Sequence, residues 1–168
     1  MSIVFIIYSA LALVAMATDI VSYKIPNWLV LALLFLFIAA AVSGMPRDSW
    51  QGHLIAGGGT LVVTAAFYAL GWMGAGDAKL LAVMALWAGL GGLLALLFYV
   101  SLIALGGMLI ILVLRHLLPW AAKRNWLRLP QPMPRVLIRG EGVPYAIGIG
   151  PGAILAAVFW FPTWLWLV

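Results

Sequence analysis

The segment that decides the fold runs from Ala78 to Leu118 and reads AKLLAVMALWAGLGGLLALLFYVSLIALGGMLIILVLRHLL. As one straight helix rising about 1.5 Å per residue it would be about 60 Å long, roughly twice the ~30 Å hydrocarbon core of a bilayer. The chain therefore has to turn within this segment. Gly89-Leu90-Gly91-Gly92 is the predicted turn, because glycine weakens a helix and accepts the positive φ angles of a tight turn.

The composition of the whole chain agrees with a membrane environment. Of its 168 residues 67% are hydrophobic and 8% are charged, whereas soluble domains carry about 25% charged residues. A water-soluble fold cannot hide this much apolar surface, so we predict a single all-α, polytopic membrane domain over residues 1–168. Six transmembrane helices are predicted, near residues 2–18, 27–44, 53–71, 78–90, 93–117 and 144–168.

The first apolar run, Met1 to Ala17, ends in Ala15-Met16-Ala17, which resembles a signal-peptidase site. No basic residue precedes the run, and cleavage would remove the first span, so we expect an uncleaved helix. The sequence contains no cysteine, which excludes disulfides, thiolate zinc sites and cysteine nucleophiles.

The basic residues predict the orientation of the chain. With six spans the segments 19–26, 72–77 and 118–143 lie on one side of the membrane, and so do Asp19 and Asp77. That side carries Lys24, Lys79, Arg115, Lys123, Arg124, Arg128, Arg135 and Arg139, whereas the other side carries only Arg47. The positive-inside bias makes the basic side cytoplasmic and puts both termini outside.

The basic loop, residues 118–143, also contains tryptophans and prolines, a mixture suited to lying on lipid headgroups. Anionic lipid would attract each basic residue near the surface by about 1 kcal/mol. The alternative is that the loop only sets the topology, and both readings stay open. A nucleic-acid partner is not expected, because the charge follows a membrane pattern.

The chain has four acidic residues. Asp48 and Glu141 lie in loops beside or near arginines, so we expect both to be solvated or paired. Asp19 lies near the carbonyl end of its helix, where the helix dipole disfavours a negative charge. Asp77 can cap the fourth helix, act as a catalytic acid, or do both. Carboxylic acids at membrane depth are functional by default, and two that share a proton can activate a water.

Two motifs around these acids resemble those of the type IV prepilin peptidases. Asp19-Ile20-Val21-Ser22-Tyr23-Lys24-Ile25-Pro26-Asn27 is similar to the first-aspartate motif, and Gly74-Ala75-Gly76-Asp77-Ala78-Lys79-Leu80 is similar to the GxGDxKL motif. Val143-Pro144-Tyr145-Ala146 resembles the entry into the last helix of that family. The resemblance covers essentially the whole chain.

The resemblance implies a GxGD-type aspartic protease fold with Asp19 and Asp77 as the catalytic pair. Gly74, Gly76, Lys79, Pro26 and Asn27 match motif positions as supporting residues. Implied substrates are prepilins or pseudopilins, whose basic leader is removed ahead of a hydrophobic helix at the cytoplasmic face of a bacterial inner membrane. No metal or other cofactor is expected, and the oligomeric state is left open.

The longer family members carry paired cysteines in an N-terminal extension and methylate the new terminus. The cysteine-free chain departs from them and is similar to the short peptidases of Flp (Tad) pilus systems, so methyltransferase activity is not expected. Two alternatives remain: a presenilin-like protease, and a non-enzymatic transporter or assembly subunit whose acids bind a proton or cation. His53 and His116 are expected to be structural or interfacial.

Overall fold

The computed structural model describes residues 3–44, 46, 49–124, 135–138 and 144–160. The helices are α1 (Ile3–Ser22), α2 (Asn27–Gly44), α3 (Trp50–Ala69), α4 (Ala75–Lys123) and α5 (Ala146–Trp160), with a short 3-10 helix at Arg135–Leu137. The regular structure in these ranges is helical throughout, as predicted. By length and composition α1 to α4 can each cross a membrane, and α5 is a shorter apolar helix.

The predicted turn in the long apolar segment lies at Gly89. Its φ of 63° and ψ of 177° are not helical, so α4 consists of two helical halves, residues 75–88 and 90–123. This combination of angles is open essentially to glycine alone. The break therefore falls at the first glycine of the predicted turn.

His53 of α3 stabilises the break. In an unbroken helix the Leu86 carbonyl would accept a hydrogen bond from the N–H of residue 90. At the break, Nδ1 of the buried His53 ring lies 2.7 Å from the Leu86 carbonyl oxygen. A carbonyl can only accept, so Nδ1 carries the proton. The structural role expected of His53 is therefore confirmed.

An aromatic cluster forms the centre of the core. Trp87 in the first half of α4 packs against Tyr8 of α1 and Phe37 of α2, with ring centroids 5.0 and 5.4 Å away. The buried polar ends of these rings are satisfied: the Trp87 N–H donates to the Leu33 carbonyl at 3.1 Å, and the Tyr8 hydroxyl donates to the Ala153 carbonyl at 3.4 Å. These hydrogen bonds link the first half of α4 to α2, and they link α1 to α5.

Glycines bring α5 close to its neighbours. A Cβ at Gly150 would lie 2.8 Å from the carbonyl oxygen of Ala12 in α1, and one at Gly152 would lie 2.6 Å from the Cα of Val100 in α4. Such distances require glycine, because real Cβ atoms do not approach backbone so closely. The last helix is therefore packed between the first helix and the second half of α4.

Several predicted boundaries were wrong, including those of α3, which is Trp50–Ala69 rather than 53–71. The first helix continues to Ser22, so Asp19 lies inside it. The fourth begins at Ala75, so Asp77 lies in its first turn and Gly74 is the N-cap. The helix predicted to end at residue 117 continues to Lys123, and of the basic loop only 118–124 and 135–138 are described. Hydropathy reports where apolar residues end, whereas helical hydrogen bonds continue beyond that point.

The break at Gly89 makes a prediction about stability. In Gly89→Ala the new Cβ would lie 2.9 Å from His53 Cε1 in a backbone conformation unfavourable to alanine, so we expect a loss of about 1–3 kcal/mol. Thermal unfolding in detergent measures it. Gly91→Ala is the matched control, because a Cβ there meets nothing within 4 Å. Equal melting temperatures for the two variants would contradict the role given to Gly89.

Candidate functional site

Asp19 lies in the last turn of α1 and is 5% exposed. The helix ends at Tyr23, whose φ of 53° is positive, and the Tyr23 N–H donates to the Asp19 carbonyl at 2.8 Å. A residue in this left-handed conformation turns the chain out of the helix. The turn leads through residues 24–26 into α2 and keeps this connection beside Asp19.

The start of α5 contacts the Asp19 carboxylate. The Ala146 backbone N–H donates to Asp19 Oδ2 at 3.2 Å. The first N–H groups of a helix lack partners within the helix and lie at its positive end. They therefore offset the unfavourable position of Asp19 at the carbonyl end of α1. Sequence reasoning missed this contact, although the Pro144-Tyr145-Ala146 resemblance pointed to the segment.

Asp77 lies in the first turn of α4 and is 8% exposed. Its carboxylate turns back to accept a hydrogen bond from the backbone of Gly74, as a third-position acid does in a capping box. Its other oxygen, Oδ1, is buried and makes no hydrogen bond to the described residues. Among the described residues, Oδ1 of Asp77 is therefore a buried acceptor without a donor.

Each of the two glycines in the Gly74-Ala75-Gly76-Asp77 motif lies where a side chain would clash with a different neighbour. A Cβ at Gly74 would lie 2.7 Å from Oδ2 of Asp77, so a side chain there would displace the carboxylate. A Cβ at Gly76 would lie 3.2 Å from the Cβ of Ile25, in the connection that follows Asp19. One glycine makes room for the second acid, and the other brings the two acid-bearing segments into contact.

The two acids share one cavity of about 350 Å³. Both Asp19 and Asp77 are buried at its surface. The cavity is formed by the connection after α1 and by the start of α4, and its lining residues are Asp19, Tyr23, Lys24, Ile25, Asn27, Gly74, Ala75, Gly76, Asp77 and Lys79. Residues distant in sequence are thus brought to a single polar site.

The supporting residues expected from the sequence lie at this cavity or next to it. Gly74, Gly76, Asn27 and Lys79 line it, and Lys79 Nζ donates to Asn27 Oδ1 at 3.2 Å. Pro26 precedes the first residue of α2, and its carbonyl accepts from the Leu29 N–H at 3.1 Å. Pro26 therefore acts at the start of α2 rather than on the cavity surface.

Tyr145 links the start of α5 to the loop before α4. Its hydroxyl donates to the Trp72 carbonyl at 3.3 Å. Because the next residue, Ala146, contacts Asp19, the entry into α5 touches both acid-bearing parts of the chain. Sequence reasoning gave Tyr145 no role beyond its motif.

Of the other ionisable residues that the sequence singled out, the two histidines are described, and neither lines this cavity. Asp48 and Glu141 lie outside the described residues. His53 is used at the Gly89 break, and His116 is exposed near the end of α4. Within the described part of the chain no group of three His, Cys, Asp or Glu residues has the arrangement of a metal site. The chemistry available to the described cavity is that of paired carboxylic acids.

Comparison with known proteins identifies the class. A helical, membrane-type chain with two buried acids in one cavity matches the family model described as "Type IV leader peptidase family" over residues 6–114. The match includes every residue that lines the cavity, and the chain belongs to this family. Comparisons with curated proteins and with solved structures gave no match.

The glycine geometry predicts the effect of one methyl group. In Gly74→Ala the added Cβ displaces the Asp77 carboxylate, and misplacing a reacting group by about 1 Å costs on the order of 10²-fold in rate. We expect this loss in peptidase activity on a leader-bearing substrate, with membrane insertion and thermal stability retained. Gly58→Ala is the control, because its Cβ meets nothing within 4 Å. Full activity in Gly74→Ala would show that Asp77 does not need its present position.

Proposed function

We propose that this chain is an aspartic endopeptidase that removes the leader peptide of prepilins or pseudopilins at the cytoplasmic face of a bacterial inner membrane. The observation that carries the proposal is the shared cavity, in which Asp19 and Asp77 are both buried and adjacent. Membership of the type IV leader peptidase family supports the substrate class. We propose the short Flp (Tad) form, with proteolysis and without methyl transfer, because the cysteine-free sequence resembles that form.

The two acids divide the chemistry of hydrolysis. One carboxylate takes a proton from a water held between the acids, and the oxygen of that water attacks the scissile carbonyl carbon. The second acid is protonated. It donates a hydrogen bond to the carbonyl oxygen as negative charge develops there, and it keeps its proton. When the C–N bond breaks, the departing amine takes a proton from the acid that received one. The pair returns to its starting state with one proton shared between its members.

The proposed topology has six crossings, with α4 crossing twice and both termini outside. The first half of α4 has about 14 residues and a length near 20 Å, shorter than the ~30 Å core, so its acid-bearing end lies below the headgroups. Exposed Trp28 and Trp72 lie near the cavity, as in the aromatic belts of membrane proteins. Lys24 and Lys79 at the same end agree with a cytoplasmic site. We propose that this arrangement is the GxGD-type fold.

The anionic-lipid partner proposed for the basic loop has support at the end of α4. There the guanidinium of Arg124 lies over the ring of Trp120, 4.6 Å from its centroid. Arg115 is buried and donates from Nε to the Val136 carbonyl at 3.0 Å, which holds the short 3-10 helix against α4. The described ends of the loop thus combine aromatic and basic groups suited to a headgroup surface.

Replacement of either acid by its amide tests the proposal. Asp19→Asn and Asp77→Asn keep side-chain shape but remove the ability to exchange a proton. We expect each to reduce cleavage of a purified prepilin in detergent by at least about 10³-fold, since general acid–base catalysis alone supplies about 10²- to 10⁴-fold. The measurement is the shortening of the substrate, with mass spectrometry of the new terminus.

Asp48→Asn and Glu141→Gln are the matched controls, because they remove the other two acids of the chain. Both should cleave at the wild-type rate. Efficient processing by Asp19→Asn and Asp77→Asn would remove the aspartic mechanism. A wild-type protein that inserts and folds but leaves every prepilin intact would favour the non-enzymatic alternative, in which the acids bind a proton or cation.

A further inference from the structure

The hydrogen bond between Lys79 and Asn27 fixes the direction of an amide group at the cavity. An ammonium group can only donate, so the side-chain oxygen of Asn27 is the atom that faces Lys79, as the 3.2 Å contact shows. The amide nitrogen, with its two N–H donors, is then directed away from Lys79. No described residue accepts a hydrogen bond from that nitrogen.

Both residues lie on elements that also position the acids. Asn27 is the first residue of α2, which follows the connection from Asp19, and Lys79 lies in the second turn of α4, two residues after Asp77. All four side chains line the same cavity. The side chains of Asn27 and Lys79 are both exposed. The hydrogen bond between them restricts the rotation of the Asn27 amide, so the amide loses less freedom on binding than an unpaired one would.

A peptide in this cavity needs hydrogen-bond donors. The bond to be cut lies ahead of the substrate's hydrophobic helix and must be extended for a water to attack it, so the carbonyls next to it have no helical partners. A buried carbonyl without a partner costs about 1–3 kcal/mol. Ionised carboxylates cannot donate, and the ammonium groups of Lys24 and Lys79 suit anions better than a neutral carbonyl. The protonated member of the acid pair is engaged by the scissile carbonyl, so the carbonyls beside it need other neutral donors. The side chains that line the cavity offer two, the Tyr23 hydroxyl and the Asn27 amide, and the amide has two N–H groups.

We propose that Asn27 binds a backbone carbonyl of the substrate beside the scissile bond, and that Lys79 positions the Asn27 amide for this contact. The inference rests on the peptidase function proposed above and adds a substrate-binding residue to it. Recognition through a backbone carbonyl does not depend on side chains. It lets one cavity accept leaders of different sequence, provided that the chain is extended at the cut.

The test combines substitutions in the protein with substitutions in the substrate. A set of prepilin peptides is made in which each carbonyl near the scissile bond in turn is replaced by a thioamide, a weaker hydrogen-bond acceptor. With the wild-type protein we expect one thioamide to raise KM about tenfold, the size of effect of one lost hydrogen bond, with kcat changed much less. Asn27→Ala should raise KM for the natural peptide by a similar factor.

The decisive result is the combination of the two changes. In Asn27→Ala the sensitive thioamide should cause no further increase in KM, because its hydrogen-bond partner is already absent. Lys79→Met should reproduce part of the loss, and Lys79→Arg, which also donates to the Asn27 oxygen, should restore it. Asn125→Ala is the control, since it removes the other asparagine of the chain.

The outcomes separate this inference from the proposed function. A thioamide effect that is equally large in wild type and in Asn27→Ala overturns the role of Asn27, even though cleavage dependent on Asp19 and Asp77 would continue. If Asn27→Ala does not fold, equal KM values for wild type, Lys79→Met and Lys79→Arg overturn it instead. A wild-type protein that cuts none of the peptides would contradict the proposed function and this inference together.

Discussion

The hydrogen bond from the Ala146 N–H to the Asp19 carboxylate is the contact on which the site depends. It joins the start of α5 to the end of α1. At that end the carbonyl groups of α1 disfavour a negative charge, and the N–H of Ala146 stabilises it. An acid buried at this depth needs a donor, because an unsatisfied carboxylate in an apolar setting is very costly. Packing serves the same contact: Gly150 lets α5 approach the backbone of α1, and the Tyr8 hydroxyl binds the carbonyl of Ala153.

The second acid depends on a different device, the absence of side chains. Gly74 leaves the space that the Asp77 carboxylate occupies, and Gly76 lets the start of α4 approach Ile25. At the far end of the same short helix, Gly89 turns the chain and His53 satisfies the carbonyl that the turn sets free. Glycines thus define both ends of the helix that carries Asp77.

Much of this architecture could be predicted from residue order. The bounds of α2 were predicted without error, and the turn at Gly89 follows from the length of an apolar run that no bilayer can hold as one helix. The alternation of the predicted spans puts Asp19 and Asp77 at the same end of the helices, and in the structure both line one cavity. These inferences succeed because hydropathy and charge act on whole segments and do not depend on the detail of packing.

What could not be predicted depends on contacts between segments distant in sequence. The donation from Ala146 to Asp19, the pairing of Lys79 with Asn27 and the capping of Leu86 by His53 each join separate helices. No local pattern encodes them, since a backbone N–H carries no residue signature and a lone histidine in an apolar run has many uses. The continuation of α4 to Lys123 was missed for a related reason, because helix ends are set by hydrogen bonding as well as by hydropathy.

The central claim is that residues 19 and 77 face each other across one cavity. The chain has no cysteine, so a variant with Asp19→Cys and Asp77→Cys carries only these two thiols, and a protease site placed in the loop at residues 45–48 lies between them. After treatment with a short reagent that bridges two thiols and then with protease, we predict that the two fragments stay joined, whereas a control with Asp19→Cys and Gly91→Cys separates. Fragments that separate in the 19/77 variant, although both thiols have reacted, would contradict the account.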